Sequence, residues 1–363
     1  MRILFIQKSA GTGGSKSSLL AALPVLRESG CTVRVLCGEE GSFTERCREM
    51  GVPFTIVRLP EWRKWAERLF FSFKVDRALE LIRDEGFDVV IANEMWWAPH
   101  ARRLASRLGA KSAAVVRDLI AVGPKAKQYR LDRIDRVLCV SDAIRGGLAG
   151  QGVPGDRLTV LYNPISVPGK DLNGVPEWRT RCPGVQRWLG YIGKIGDRKN
   201  QVQAVRVLAH LRELSGVPWG LVLAGDAESG YLEGLRAEVT NLGLQDAVVE
   251  AGHVTPVGNV LGFIDAVILT SRREGLPRSL IEALLAGVPA FSFTLDGLDE
   301  IYEEHFSMFV PGADTDLSLA RIIYQGFENE NLDAATRSLS ARLRLRHNPA
   351  TYPERLRSAL ALS

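Results

Sequence analysis

Short apolar runs alternate with amphipathic stretches along the N-terminal half of the chain. Six near-continuous apolar runs predict β-strands, namely Ile3–Ile6, Val33–Cys37, Val89–Ala92, Ala113–Val116, Val137–Val140 and Val160–Tyr162. Such runs, unlike alternating ones, are typical of parallel strands that are buried on both faces of a sheet. Segments of helical period between them, such as Ser18–Ser29 and Val75–Glu85, predict crossover helices. The pattern therefore predicts a doubly wound α/β domain in this half.

A second series of the same kind follows a stretch rich in proline and glycine. Its five predicted strands are Trp188–Ile192, Leu221–Ala224, Val248–Ala251, Val267–Thr270 and Ala290–Phe293. A helical tail is expected from Thr336 to Leu362, with a break near Asn348-Pro349. We therefore expect a first domain over residues 1–165, a linker over 166–186, a second domain over 187–340 and a helical tail over 341–363.

Length and composition agree with this division. A chain of 363 residues suits two domains, and its 46% hydrophobic and 24% charged content is that of a globular protein. No apolar run reaches 18 residues, and the N-terminus MRILFIQK reads as a first strand, so neither a membrane-spanning helix nor a signal peptide is predicted. The five cysteines form no Cys-x-x-Cys pair and are expected to be buried, reduced thiols of a cytoplasmic protein.

The stretch SRREGLPRSLIEALLAGVP, Ser271–Pro289, places two glutamates eight residues apart around a Gly-Leu-Pro turn. Glu274 follows an apolar run, and Glu282 lies in a segment of helical period. Pro277 suits the first turn of a helix, whose free amides form a ready site for phosphate. The two carboxylates are then roughly 10 Å apart along the helix. They would hold hydroxyl-bearing groups on either side of a diphosphate, which is the layout of a nucleotide sugar.

This stretch resembles the Glu-x7-Glu motif of GT-B glycosyltransferases, in particular the large retaining group numbered family 4. The preceding strand, the turn Gly275-Leu276-Pro277 and the small-residue end Ala286-Gly287-Val288-Pro289 match that family in order. The resemblance implies an α/β protein of GT-B fold, with two Rossmann-like domains facing each other across a cleft. It also implies that the last helix returns to pack on the N-terminal domain.

The segment Gly193-Lys194-Ile195-Gly196-Asp197-Arg198-Lys199 resembles the family's phosphate-binding pair, which is usually an Arg after Gly and a Lys five residues on. Here Lys194 stands where the family has Arg. Because Lys lacks the bidentate guanidinium, Arg198 is the alternative source of that fork. Cations fixed in a dry site stabilise the charge that develops on a departing nucleoside diphosphate. A solvated basic loop is the other interpretation of this segment.

Glycines also follow the first predicted strand, in GTGGSKS from Gly11 to Ser17. A P-loop needs Gly-Lys-Ser/Thr in direct sequence, and Ser15 separates Gly14 from Lys16, so the sequence argues against a P-loop ATPase. Gly13 and Gly14 still permit a close approach of the backbone to an anion, and the family has a comparable Gly-Gly facing the donor phosphates or the acceptor. A flexible turn is the alternative.

Three further positions bear on the site. Arg117, in Arg117-Asp118, stands where many relatives carry a His near the transferred sugar, and it is expected on the acceptor or sugar side. His253 matches a loop that the family places beside the nucleotide base. Asp314-Thr315-Asp316 looks like a metal motif, but it precedes an amphipathic helix, so Asp314 or Thr315 is expected to cap that helix. No metal site and no cofactor are predicted, since the sugar nucleotide is the substrate.

The function implied by the resemblance is a metal-independent, retaining hexosyltransferase. It would move a sugar from a uridine or guanosine diphosphate sugar to a glycan or lipid-linked acceptor in the synthesis of a cell-surface polysaccharide or glycolipid. The implied catalytic residues are Glu274, Lys199 and Lys194. The implied donor-binding residues are Gly13, Gly14, Lys194, Arg198, Lys199, His253, Glu274, Gly275, Leu276 and Glu282. A sugar-nucleotide epimerase of the same fold and a non-catalytic sugar-nucleotide-binding protein remain alternatives.

Charge is distributed unevenly along the chain. Residues 1–165 hold 26 Lys and Arg against 18 Asp and Glu, a net charge of +8, whereas the remainder carries −4. The segment Trp62–Lys74 interleaves aromatic and cationic residues, which is typical either of a helix in a lipid interface or of a core helix with a basic edge. Without a nucleic-acid recognition motif, we expect a cytoplasmic protein that binds peripherally to the anionic inner face of the cytoplasmic membrane.

Overall fold

A computed structural model describes residues 1–11, 13–64, 67, 71–82, 85–118, 123–170 and 175–361. The chain forms two compact units, which we call unit 1 and unit 2. Unit 1 consists of Met1–Ser166 together with His347–Ser363, and unit 2 of Val167–Arg346. The stretch 167–186, predicted as a linker, therefore lies within unit 2, where Trp178 and Cys182 are buried.

Unit 1 is built on a parallel sheet of seven strands in the described residues. Its strands are β1 (Arg2–Gln7), β2 (Thr32–Cys37), β3 (Phe54–Ile56), β4 (Val89–Ala92), β5 (Lys111–Val116), β6 (Arg136–Cys139) and β7 (Leu158–Val160). The order across the sheet is β3-β2-β1-β4-β5-β6-β7, so the direction of winding reverses between β1 and β4. Five of the six predicted runs lie on strands, whereas the sixth, Val160–Tyr162, overlaps β7 only at Val160. β3 was not predicted, because it is only three residues long and not fully buried.

Helices follow most of these strands, as the alternating pattern predicts. They are α1 (Gly14–Glu28), α2 (Ser42–Glu49), α3 (Phe71–Glu80), α4 (Ala98–Leu108), α5 (Pro124–Gln128) and α6 (Asp142–Gly150). Of the predicted Trp62–Lys74 segment, residues 65–66 and 68–70 lie outside the described residues, and α3 begins at Phe71.

Unit 2 repeats the architecture with a parallel sheet of five strands in the described residues, in the order β10-β9-β8-β11-β12. Its strands are β8 (Arg187–Ile192), β9 (Trp219–Ala224), β10 (Val248–Gly252), β11 (Ala266–Leu269) and β12 (Ala290–Ser292). Its helices are α7 (Glu177–Thr180), α8 (Gln201–Ser215), α9 (Tyr231–Asn241), α10 (Gly258–Leu261), α11 (Arg278–Leu285), α12 (Asp299–Tyr302), α13 (Phe306–Phe309), α14 (Asp316–Glu328) and α15 (Leu332–Arg346). Every predicted strand of this half is present.

The tail of the chain returns to unit 1. Its helix α16 (Tyr352–Leu360) packs against α1, and the Ile165 amide donates to the carbonyl oxygen of His347 at 3.0 Å. The buried His347 ring is hydrogen-bonded through Nδ1 to the carbonyl oxygen of Asn163 at 2.8 Å. Unit 1 thus contains both ends of the chain.

Local sequence signals explain several details of this fold. All five cysteines are free and buried, as predicted, and burial raises the pKa of Cys47 and Cys139 to about 12. Thr315 caps α14 by accepting from the Ser318 amide at 3.1 Å, while Asp314 accepts from the Thr294 amide at 2.8 Å. The cap that was preferred over a metal motif is therefore present.

None of the helices that the structure describes is long and apolar enough to cross a bilayer.

Candidate functional site

Two loops of unit 2 bring a carboxylate and two cations together beyond the ends of β8 and β11. Glu274 is 9% exposed, and its Oε1 lies 2.7 Å from Lys199 Nζ. Its Oε2 accepts a hydrogen bond from Arg198 Nη1 at 3.0 Å. β8 and β11 are neighbours in a parallel sheet, so their carboxyl ends lie at the same edge. The structure thus brings together three of the residues implied by the family resemblance.

The charge state of Glu274 follows from these contacts. Burial alone would raise the pKa of the carboxyl, but the charges of Lys199 and Arg198 more than offset this effect and lower it below the usual range. Glu274 is therefore a buried carboxylate that stays ionised, with two cations beside it. Such a group can only accept hydrogen bonds, which suits it to the hydroxyl groups of a ligand.

Backbone and hydroxyl contacts fix the two loops against each other. The Thr270 hydroxyl donates to the Asn200 carbonyl oxygen at 2.8 Å, and the Arg272 amide donates to the Arg198 carbonyl oxygen at 2.9 Å. The buried Tyr191 hydroxyl, whose pKa is raised by burial, donates to the Lys199 carbonyl oxygen. Because these bonds hold the backbone of Arg198 and Lys199, both cations are presented from a rigid loop.

The turn after Glu274 leads directly into α11. Gly275 is buried, Leu276 is partly buried, and Pro277 is the N-cap residue without a side-chain cap, so it lies one position before the first helical residue. Pro277 therefore supplies no side-chain acceptor to the first amides of α11, which is compatible with an anion-binding helix N-terminus. Glu282 lies one turn further along, where its Oε1 pairs with Arg278 Nη2 at 2.8 Å.

Lys194 does not join this group. Its Nζ pairs with Glu228 Oε1 at 3.0 Å, and its side chain is 60% exposed. Gly193 and Gly225, which follow β8 and β9, lie so close together that a Cβ on Gly225 would collide with the Gly193 carbonyl group. Glu228 was missed from the sequence, because the parallel pairing of β8 with β9 is what places it beside Lys194.

His253 lies beyond the end of β10, away from the glutamate group in sequence. Its Nδ1 is 3.4 Å from Asp226 Oδ2, and its Nε2 is 3.0 Å from the Thr255 hydroxyl. The ring is about half exposed and is held by polar partners at the same edge of the sheet as Lys199. Asp226 was also missed, although its place directly after an Ala-Gly strand end is a signal that could have found it.

The candidates of unit 1 lie at the carboxyl ends of its own strands. Gly13 is the N-cap of α1, with a φ of 145° that only glycine adopts readily, and Gly14 is the first residue of that helix. The Arg117 guanidinium donates to the Asn93 carbonyl and amide oxygens at 3.2 and 2.8 Å and also to Asn163 Oδ1. These bonds tie together the chain after β4, β5 and β7.

No group of three or more His, Cys, Asp or Glu side chains with the geometry of a metal site occurs within the part of the chain that the structure describes. That the reaction needs no metal ion remains a prediction.

Two sequence-family models match the chain. Residues 13–164 match the glycosyl transferase 4-like domain, and residues 179–339 match the glycosyl transferases group 1 domain. Together they cover the described sheets of both units apart from β1, and Glu274 and Lys199 lie within the second. The chain belongs to the GT-B glycosyltransferases.

Solved structures share the fold of this glycosyltransferase along its whole length. HepE of Anabaena in complex with UDP and glucose has a TM-score of 0.84 at 18% identity and covers 99% of each chain. A lipopolysaccharide-biosynthesis glycosyltransferase, WaaG, has a TM-score of 0.71 at 14% identity and covers 100% of each chain. At such identities the likeness shows the fold alone.

Curated relatives align with the glycosyltransferase over shorter stretches. The lipopolysaccharide 1,6-galactosyltransferase of Salmonella typhimurium is 26% identical over 162 residues, which are 44% of this chain and 42% of the relative. The 2-deoxystreptamine N-acetyl-D-glucosaminyltransferase of Streptomyces fradiae is 28% identical over 197 residues, 52% of this chain and 46% of the relative. The alignments therefore span less than half the length of these curated relatives.

Proposed function

We propose that this glycosyltransferase transfers a hexose from a nucleoside-diphosphate sugar to a hydroxyl group of a glycan or lipid-linked acceptor, with retention at the anomeric carbon. The observation that carries the proposal is the buried, ionised Glu274 held between Lys199 and Arg198. A carboxylate that only accepts hydrogen bonds, next to two cations, suits a ligand that joins hydroxyl groups to a diphosphate. The protein would catalyse one step in the synthesis of a surface polysaccharide or glycolipid.

The donor would lie along the carboxyl edge of the sheet of unit 2. Its diphosphate would be bound by Lys199, Arg198 and the backbone amides at the start of α11. Glu274 would accept hydrogen bonds from the hydroxyls of the sugar, and Glu282 from those of the ribose. Lys194 would reach the diphosphate only by leaving Glu228, so we assign it an accessory part.

In the proposed reaction the bond between the anomeric carbon and the leaving phosphate oxygen breaks. A bond from the acceptor oxygen to the same face of that carbon forms, and the proton of the acceptor hydroxyl passes to the leaving phosphate oxygen. In the transition state, before that proton arrives, the departing diphosphate carries more negative charge than it had in the donor. Lys199 and Arg198, fixed by their loop, stabilise that charge without rearrangement.

The names of similar proteins support this choice of substrates. HepE was solved with UDP-glucose as well as with UDP. Another relative, from Campylobacter jejuni, is named as an N-acetyl-D-galactosaminyltransferase that acts on an undecaprenol-linked glycan, at 28% identity over 39% of this chain. We therefore take a uridine diphosphate sugar as the first donor to test and a lipid-linked glycan as the first acceptor, with a peripheral position at the inner face of a cytoplasmic membrane.

The proposal is tested by a thermal-shift panel of uridine, guanosine and adenosine diphosphates and their sugars. We expect one base to raise the midpoint of unfolding, because a ligand that binds only the folded state stabilises it, by about 2.7 kcal/mol at a hundred times its dissociation constant. The same shift should shrink in a Glu282→Ala variant and persist in a Glu238→Gln control, in which the lost ion pair joins α9 to Arg206 of α8. A protein that responds to no nucleotide would contradict the proposal.

A further inference from the structure

A second, smaller site lies entirely within unit 1. A cavity of about 290 Å³ opens beyond the carboxyl ends of β1, β2 and β3, and Trp97, which follows β4, forms part of its wall. Strands β1 and β4 are the pair at which the winding of the sheet reverses. In open α/β sheets, ligands bind outside the carboxyl ends of the strands at such a switch point. The position is therefore that of a binding site rather than of a packing defect.

The walls of this cavity are charged but balanced. Three cations and three carboxylates line it, namely Lys8, Arg58, Lys64, Glu39, Glu61 and Glu67. An anionic ligand would be repelled by the three carboxylates, and a cationic ligand would be repelled by the three cations. A neutral ligand with many hydrogen-bonding groups avoids both conflicts, because it can donate to the carboxylates and accept from the cations.

Glu61 is the polar centre of the cavity. Lys8 Nζ donates to its Oε1, while Arg63 Nε and Lys64 Nζ lie 3.1 and 3.4 Å from its Oε2. The hydrogen bond from Lys8 is the largest cause that holds the pKa of the Glu61 carboxyl at about 2. Glu61 is therefore an acceptor at neutral pH, and the neighbouring Lys8 side chain is a donor. Adjacent hydroxyls of a ring could bind one to each.

Trp97 adds a small apolar contact to the lining beside this polar pair. It is 4% exposed, and Lys8 Nζ lies 5.5 Å from the centre of its ring. The ring is tilted against the buried His100, at 4.7 Å between centres, which holds it in place. A small apolar contact beside a donor and an acceptor suits a sugar ring, which has C–H faces and a polar rim.

We propose that this cavity is a subsite for one neutral sugar unit of the acceptor, with Lys8 and Glu61 as the residues that determine its specificity. The inference rests on the proposed function, since it names the acceptor that the transfer would use. A volume of about 290 Å³ is at the lower limit of ligand sites, which range over roughly 300 to 1,000 Å³. It admits a single sugar ring and excludes a lipid tail or an extended glycan.

The test is saturation-transfer-difference NMR on the full chain, with methyl α- and β-glycosides of glucose, galactose, mannose and N-acetylglucosamine as probes. We expect at least one glycoside to receive saturation from the parent protein. Its affinity should fall by about tenfold or more in Glu61→Gln and in Lys8→Met, because each change removes a hydrogen bond to a charged group. Lys125→Met is the matched control, since Lys125 lies over Trp96 and outside the cavity lining.

Binding of UDP, GDP and ADP is measured on the same samples and separates the two proposals. If glycosides fail to bind the parent, or bind the two variants as well as the parent, the subsite is wrong even where a nucleotide binds normally. If inorganic phosphate displaces the glycoside, the cavity is an anion site and the proposal is again overturned. Loss of all nucleotide binding with normal glycoside binding would instead contradict the proposed function and leave the subsite standing.

Discussion

At the scale of single residues, the ion triad of Glu274 with Lys199 and Arg198 dominates the proposed donor site. We predict that Glu274→Gln lowers kcat by about 100-fold or more, as loss of one preorganised charged contact typically does. Glu282→Ala should instead raise the KM for the donor, since its partner Arg278 lies outside the triad. Steady-state kinetics with Glu238→Gln as a control checks both. Full activity in the two variants would contradict the assignment.

His100 supplies a residue-scale prediction about pH. It is fully buried, its Nε2–H donates to the Pro60 carbonyl oxygen at 2.7 Å, and burial lowers its pKa to about 3. Below pH 6.5 the unfolded chain binds a proton at His100 that the folded chain does not bind. The free energy of unfolding therefore decreases as the pH falls. The expected slope is about 1.4 kcal/mol per pH unit between pH 6.5 and pH 3.

Urea unfolding of the parent and of His100→Gln between pH 7 and 5 measures this slope. That range lies above the region in which Glu61 becomes protonated, since its usual pKa is 4.5 and its folded pKa is about 2. The variant should lose stability with falling pH less steeply than the parent. Parallel curves would show that His100 does not titrate as inferred.

At the scale of elements, most helices and strands could be predicted, since long apolar runs and helical periods report burial directly. The site was predicted only in part. Glu274 and Lys199 follow strands that are neighbours in the sheet, so the motif sufficed to pair them. The partner of Lys194 could not be predicted, because the register of β8 against β9 determines it. The lining of the cavity in unit 1 could not be predicted either, because its residues follow four separate strands.

The cap of α14 yields an element-scale prediction. Thr315 accepts a hydrogen bond from the Ser318 amide, and this bond satisfies one free donor at the start of the helix. Thr315→Ala should therefore lower the free energy of unfolding by about 1 kcal/mol. Activity should not change, because the motif acts as a cap. A variant that keeps its stability but loses activity would revive the metal interpretation of Asp314-Thr315-Asp316.

At the scale of the whole molecule, the excess charge of residues 1–165 bears on location. Phe73 is 70% exposed on α3, next to the exposed Lys74, whereas Trp62 donates its indole N–H to the Gln128 carbonyl oxygen and packs edge-on against Phe71. Within the Trp62–Lys74 segment, Phe73 is thus a better candidate for a lipid contact than Trp62. Each basic residue near an anionic leaflet contributes roughly 1 kcal/mol of attraction.

We predict that the protein floats with phosphatidylglycerol vesicles at low salt and is released as ionic strength rises, because screening shortens the range of the attraction. Phe73→Ser combined with Lys74→Ser should weaken flotation, whereas Trp62→Ser should disturb packing more than binding. A parent protein that stays at the bottom of the gradient would rule out the membrane contact. Neutral phosphatidylcholine vesicles serve as the control for charge.

The return of α16 to α1 has a consequence for synthesis on the ribosome. Unit 2 is continuous in sequence, so all of it has been translated before His347 leaves the exit tunnel. The strands of unit 1 precede unit 2 in the sequence, yet the segment that covers α1 follows it. The sheet of unit 1 therefore remains incompletely covered while unit 2 is translated and folds. The strands of unit 1 are thus translated before unit 2 but are covered after it, and we expect chaperones to contact these strands during translation.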